Sequence, residues 1–393
     1  MKKIIEFFKK ETVLTVALFL AVVSMLIVLP DAEYAGYIDF RTLSILFCLM
    51  AVMVGMQESG VFRFTAEKLL VKVKNTTQLV LILVLLCFFF SMLITNDVAL
   101  ITFVPFTFIV LRMLGEETEK RLMIPVVVFQ TIAANLGSML TPMGNPQNLY
   151  LYGKSGMSLV SFLLLMLPYT VFSLILLLLC SMLLGKKSGA GTVEVALTGK
   201  TSLKGREKEL LRYSVLFALS LLTVAHVLNY VICLVIVLAA FLIWDRPLLK
   251  RVDYALLLTF IGFFVFIGNM GRVPFFNNLL QQLVAGNEVV TSVVSSQVIS
   301  NVPAALLLSG FTANVEGLIV GTNLGGLGTL IASMASLISY KYIAKENKCS
   351  KGAYFGYFTV ANVVFLVLLM VLWFFIGWER KEEYEICISQ GTS

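Results

Sequence analysis

Charge is scarce in this chain. Asp, Glu, Lys and Arg make up 13% of its 393 residues, against about a quarter in soluble domains, and stretches such as 79–90 and 160–184 carry none. A soluble fold cannot hide a composition that is 59% hydrophobic, since much of any folded surface stays in water. Histidine occurs once, at His226 near a span end, which reads as a packed or interfacial residue rather than a relay. Of six cysteines, Cys48, Cys87, Cys180 and Cys233 lie in apolar stretches and Cys349 and Cys387 in distant polar ones. Neither a metal nor a disulfide spacing results, so all six read as structural. HExxH, GxSxG and GxxxxGK[ST] are absent, which excludes the matching hydrolases and an ATP-driven pump. No second intramembrane aspartate is expected beside Asp97, so the chain is not read as an enzyme. The alternating pattern of a transmembrane barrel is missing as well.

What remains is an all-α polytopic membrane protein. Apolar segments long enough to span cover 12–30, 42–58, 122–152, 158–184, 211–228, 230–244, 253–270, 313–343 and 353–378. Two more, 77–112 and 288–312, are apolar on both sides of a short polar tip and read as re-entrant hairpins. A Gly/Ser/Thr/Lys-rich linker, 185–210, separates a first unit (1–184) from a second (211–393). With the N-terminus inside, nine crossings and both hairpins returning to their own side, all but five of the 30 Lys and Arg fall on the cytoplasmic side; the five are Arg41, Lys154, Arg272, Arg380 and Lys381. This positive-inside bias places the chain in the cell membrane with its C-terminus outside. The basic loops thus report topology rather than nucleic acid. No small-residue cleavage site follows the first apolar run, which is expected to stay as a span.

Self-comparison shows a repeat. Tyr37-Ile-Asp-Phe40 and Arg251-Val-Asp-Tyr254 each open a span, and an amphipathic stretch follows in each half (61–74, 272–284). Hairpin tips Ile94-Thr-Asn-Asp97 and Ile299-Ser-Asn-Val302 come next. Then come Ala134-Asn-Leu-Gly-Ser138 and Thr322-Asn-Leu-Gly-Gly326, and a final plain span. If 211–244 is two short spans split at Asn229-Tyr230, five crossings separate matching spans. The halves are then inverted, the plan of secondary transporters with a midplane site.

Irregular backbone survives in a membrane only where it lines a cavity or is buried in protein. Four breaks are expected: the two tips, Thr141-Pro-Met-Gly-Asn-Pro-Gln-Asn148, and Gly321 to Thr329. The residues making them are Asn135, Pro142, Pro146, Pro303, Asn323, Gly325, Gly326 and Gly328. Free carbonyls with Asn, Thr or Ser oxygens suit Na⁺, and helix N-termini suit an anion. The candidate substrate and ion contacts are Thr95, Asn96, Asp97, Thr141, Gly144, Asn145, Asn148, Ser300, Asn301, Thr329 and Ser333. Asp97 is a carboxylate at a re-entrant tip, placed to hold a cation or exchange a proton; the competing reading is an N-cap.

These motifs resemble the ion-transporter superfamily of divalent-anion/sodium symporters, citrate transporters and ArsB/NhaD-type permeases. Thr95-Asn-Asp97, the 141–148 run, Ser300-Asn-Val302 and Asn323-Leu-Gly325 carry the resemblance, which covers nearly the whole chain. It implies Na⁺ ligands at Asn96, Asn301 and the backbone around Gly144 and Ala332, a homodimer, and elevator motion of the hairpin-bearing unit. The symporters have Thr at the third tip position, whereas Asp97 and Val302 stand here, and the Asn-Asp tip is similar to the ArsB-like branch. The expected function is secondary active transport of a small anion or oxyacid with Na⁺ or H⁺ as coupling ion and no other cofactor. The alternative is a Na⁺/H⁺ antiporter or an arsenite/antimonite-type efflux permease.

Overall fold

The computed structural model describes residues 11–187, 203–346 and 350–391, with side chains as far as Gly377. Most of the expected 185–210 linker, together with Cys349, Arg380, Lys381 and Cys387, lies outside what is described in full. The first half runs α1 (Thr12–Ile27), a short α2 (Tyr34–Tyr37), α3 (Phe40–Ser59), α4 (Val61–Leu70), α5 (Thr76–Ile94), α6 (Asn96–Arg112), α7 (Glu116–Ser138), a 3-10 turn (Pro142–Gly144), α8 (Pro146–Ser155) and α9 (Leu159–Lys187). The second half runs α10 (Glu207–Val224), α11 (Tyr230–Trp244), a short α12 (Arg246–Leu249), α13 (Tyr254–Gly271), α14 (Pro274–Val284), α15 (Glu288–Ile299), α16 (Asn301–Ser309), α17 (Val315–Leu324), α18 (Met334–Lys345) and α19 (Lys351–Gly391). Among the described residues there is no strand. Among the described residues, six helices are long and apolar enough to cross a membrane.

Local chemistry sets the helix ends. Asp39 accepts the Thr42 N–H at 2.9 Å and Asp253 the Leu256 N–H at 3.0 Å, capping α3 and α13. The segment 211–244 is indeed two helices, broken at 225–229, and Asn229 caps the second through Val231 N–H. Outside the spans, Arg272 pairs with Asp31 at 2.7 Å, tying the loop after α1 to the end of α13. The guanidinium holds the Asp31 carboxyl below its ordinary range.

Corresponding positions in the two halves share backbone geometry. Thr95 (φ 70°, ψ 151°) and Ser300 (φ 74°, ψ 155°) link the arms of α5–α6 and α15–α16, in a region of φ/ψ space that side-chain-bearing residues rarely enter. Asn145 (φ −141°, ψ 144°) and Ser333 (φ −142°, ψ 140°) both precede the helix after a break. Contacts cross between halves in the same matched way. The helix α1 packs on α13 and α11 on α3, while α8 packs on α16 and α18 on α6.

Two expectations about the breaks need correction. The second break starts at Gly325, because Gly321 is still helical in α17. Asn135 and Asn323 are not themselves breaks: each sits in the last turns of an intact helix and acts through its side chain. Pro303 lies, as expected, at the start of the returning helix α16, where its missing N–H has no helical partner to lose.

Within an 18-residue stretch, α7 is 83% buried and α19 only 17%, so α7 forms the centre and α19 faces outward. Gly137 makes that centre possible: a Cβ there would collide with the Phe88 carbonyl oxygen of α5 and sit 2.7 Å from Ser91 Oγ. Overpacking of this kind costs about 1–3 kcal/mol. Gly137→Ala should therefore lower the melting temperature of purified protein. An unchanged melting temperature would contradict the close approach of α5 and α7.

Candidate functional site

Every break in a helix leaves backbone carbonyls without partners, and in an apolar setting something must satisfy them. Amide side chains do this here. Asn148 Nδ2 lies 3.4, 3.5 and 3.3 Å from the carbonyl oxygens of Ser138, Met139 and Thr141 at the end of α7. Gln297 Nε2 donates to Gly325 O at 3.1 Å and Leu327 O at 2.9 Å at the end of α17.

These amides join into a network whose orientation the carbonyls determine. Asn323 Nδ2 donates to Ile319 O at 2.7 Å and Asn148 Oδ1 at 2.6 Å, leaving Asn323 Oδ1 to accept from Asn145 Nδ2 at 3.4 Å. Asn145 Nδ2 also reaches Ser138 Oγ at 2.8 Å, so Asn145 Oδ1 is the free end. On the other side, Asn135 Nδ2 faces Gly326 O at 3.4 Å. Its Oδ1 accepts from Asn96 Nδ2 and Ser333 Oγ, each at 3.0 Å. Asn96 Oδ1 then accepts the Asp97 N–H at 2.9 Å.

Five chain segments converge beside this network on a cavity of about 20 Å³, room for about one water-sized guest. The hairpin tips supply Asn96 and Asp97, and Asn301 and Val302. The helix starts supply Asn145, Pro146 and Gln147, then Ser333 and Met334, and finally Asp253 and Leu256 of the α13 start. A second cavity of about 110 Å³ shares Asp253, Leu256, Val302 and Met334 with the first and extends between α1, α13, α16 and α18 to Glu11 and Lys341. The two cavities therefore adjoin.

Of the expected contacts, Asn96, Asp97, Asn145, Asn301 and Ser333 meet at the small cavity. Thr95 and Ser300 shape the tips, and Ser300 lines the second cavity. Thr141 donates to Met92 O at 2.5 Å and accepts from Gly144 N at 3.1 Å, so it braces the 3-10 turn. Asn148 is buried behind the cavity. Thr329 is exposed and tied to Gln297, with its N–H on Gln297 Oε1 at 2.9 Å and its Oγ1 on Gln297 O at 3.1 Å, away from the cavity lining. Ala332 O accepts from Asn301 N at 2.9 Å.

Two polar residues at the cavity were not among the expected contacts. Gln147 is 1% exposed, and neither of its amide atoms has a partner among the described residues. Asp253, the exposed N-cap of α13, lines the cavity beside Asp97. It was visible as the counterpart of Asp39, but its position against the hairpin tips depends on the tertiary fold. No Lys or Arg lines the small cavity.

The network predicts a stability effect. Asn323→Leu removes the partner of Asn148 Oδ1 and one of the two partners of Asn145 Nδ2, and a buried group left without a bond costs about 1–3 kcal/mol. A clear fall in melting temperature is expected, and none would contradict the network.

The family model described as "Citrate transporter" matches residues 4–317. The chain is 31% identical over 353 residues to an uncharacterized transporter of Methanocaldococcus jannaschii, covering 88% of this chain and 92% of that protein. It is 33% identical over 315 residues to the inner membrane protein YbiR of Escherichia coli, covering 79% and 81%. Silicon efflux transporter LSI3 of Oryza sativa matches at 30% over 177 residues, 44% of this chain and 35% of that protein.

Proposed function

The chain belongs to the citrate transporter family, and on that premise we propose that it is a secondary active transporter of a small anion or oxyacid, coupled to Na⁺ or H⁺. The observation that carries this reading is the convergence of both hairpin tips and both helix breaks on one small cavity. Inverted halves would let such a site open to either side in turn. The basic-residue count assigns the Lys341 face, where the second cavity ends, to the cytoplasm. In the elevator scheme implied by the family resemblance, the hairpins and broken helices would move against α1, α3, α11 and α13, within a homodimer.

Within that substrate range the cavity favours an oxyacid taken up uncharged. Asp97 and Asp253 line it without a compensating cation. Two like charges about 4 Å apart repel by about 4 kcal/mol at an effective dielectric of 20, and a dicarboxylate would meet that cost more than once. A neutral hydroxylated molecule avoids it and finds amide and carboxylate oxygens to donate to. The partial match to a protein named for silicon efflux supports the same choice. This keeps the efflux-permease alternative close: it differs in direction, with the same site.

Reconstitution in proteoliposomes tests the reading. An imposed Na⁺ or H⁺ gradient should drive flux of a small oxyacid. Asn96→Ala, Asn301→Ala and Asp97→Asn should each slow it about tenfold or more, the equivalent of losing one hydrogen bond to a charged group. Asp97→Asn should also change the pH profile if protons are the coupling ion. Wild-type rates in all three variants would overturn the proposal.

A further inference from the structure

We propose that the cleft between α10 and α11 holds one acyl chain of an anionic phospholipid, with the lipid phosphate at Lys208 and Arg212. Both helices pack on α3 and only lightly on each other, and between them lies a groove of about 660 Å³. On α10, Lys208, Leu211, Arg212, Val215 and Leu219 line it at the spacing of a single helix face. Ala239 and Ala240 of α11 stand opposite, and their small side chains leave the space open. Its rims are uncovered, with Leu211 and Ile243 67% and 69% exposed.

The groove is apolar except at one end, and that end is basic. Lys208 is exposed and makes no ion pair among the described residues. Arg212 Nη2 pairs with Asp245, while its buried Nε has no partner among the described residues. The guanidinium lies 5.2 Å from the Trp244 ring centre, which sets a tryptophan at the level of the charged groups, as at a membrane interface. The segments 203–212 and 245–251, joined here by the Arg212–Asp245 pair, carry seven Lys and Arg against three Asp and Glu. Glu207 and Glu209 do not line the groove. Glu58 of α3 pairs with Arg251, and a positive surplus still remains. The basic-residue count puts this end on the cytoplasmic side, where basic clusters beside membrane helices attract anionic headgroups.

Dimensions and charge together select the occupant. From Lys208 to Leu219 the helix rises about 17 Å at about 1.5 Å per residue. That is close to half of the hydrocarbon core of about 30 Å, the depth of one leaflet. A phosphate at the basic end gives acceptors to Lys208 and Arg212, whereas a zwitterionic choline headgroup brings a cation of its own. A second copy of the chain, related by a two-fold axis along the membrane normal, would set its Lys208 and Arg212 at the same level, and like charges repel. The groove shares no residue with the small cavity at the hairpin tips, so the lipid site stands whatever solute is carried.

The test is the melting temperature of purified, delipidated protein in detergent, titrated with dioleoyl phosphatidylglycerol or dioleoyl phosphatidylcholine, since a ligand of the folded state raises it. Wild type should respond to phosphatidylglycerol at a lower mole fraction than to phosphatidylcholine, and high salt should narrow the gap. In Lys208→Gln the half-stabilising mole fraction of phosphatidylglycerol should rise about fivefold, with the phosphatidylcholine response unchanged. Ala239→Trp fills the groove from an exposed position. It should abolish the phosphatidylglycerol response and keep the lipid-free melting temperature, while Ala239→Ser, which leaves the groove open, should behave as wild type. Equal responses to the two lipids in wild type, or an undiminished phosphatidylglycerol response in either folded variant, would overturn the proposal. So would a lipid-free dimer, seen by light scattering, that Ala239→Trp dissociates, because the groove would then belong to a second copy.

Discussion

A backbone carbonyl cannot be left unbonded in an apolar interior, and this fold interrupts its membrane helices at several places. Asn148 and Gln297 answer that constraint for the ends of α7 and α17. Asn135 and Asn323 extend the same bonding from one half of the chain to the other. Asn135 reaches Gly326 O and Ser333, and Asn323 binds Asn145 and Asn148. Removing a partner from such a network leaves the full desolvation cost behind, so the network fixes how the halves meet as well as closing the breaks.

The atoms at the cavity that this bonding leaves out are informative. Around the small cavity the unpartnered atoms are Asp97 Oδ1, Asn145 Oδ1 and both amide atoms of Gln147. They are mostly acceptors, with Asp253 nearby and no basic side chain. In the proposed reading, a cavity of this character would repel a fully ionised carboxylate and accept a cation or a hydroxyl. Belonging to a citrate transporter family is therefore compatible with a substrate other than citrate.

Much of this arrangement was legible in the chain. Thr95-Asn-Asp97 and Ser300-Asn-Val302 stand out because polar residues interrupt otherwise apolar runs, and the structure bends at those residues in matching conformations. The split of 211–244 and the Pro/Gly-rich break at 141–148 were equally visible, since turn chemistry is local. Gln147 and Asp253 were not. Asp253 has a sufficient local role, capping α13 through Leu256 N–H, and nothing in its neighbours indicates that it also faces the hairpin tips. Gln147 follows a proline in a polar run where any amide could be a capping residue. Thr329 was misplaced for the same reason in reverse: its hydroxyl suited a site, but Gln297 binds it in a turn. Local pattern locates breaks, whereas the direction a side chain faces afterwards depends on packing.

The central claim is that the site selects against multiply charged anions. The direct measurement is ligand-dependent thermal stabilisation of the purified protein at neutral pH in NaCl, with citrate and succinate compared against an uncharged hydroxy acid such as arsenous acid. The account predicts stabilisation by the uncharged acid and none by the carboxylates. Stabilisation by citrate or succinate, with the uncharged acid without effect, would contradict it.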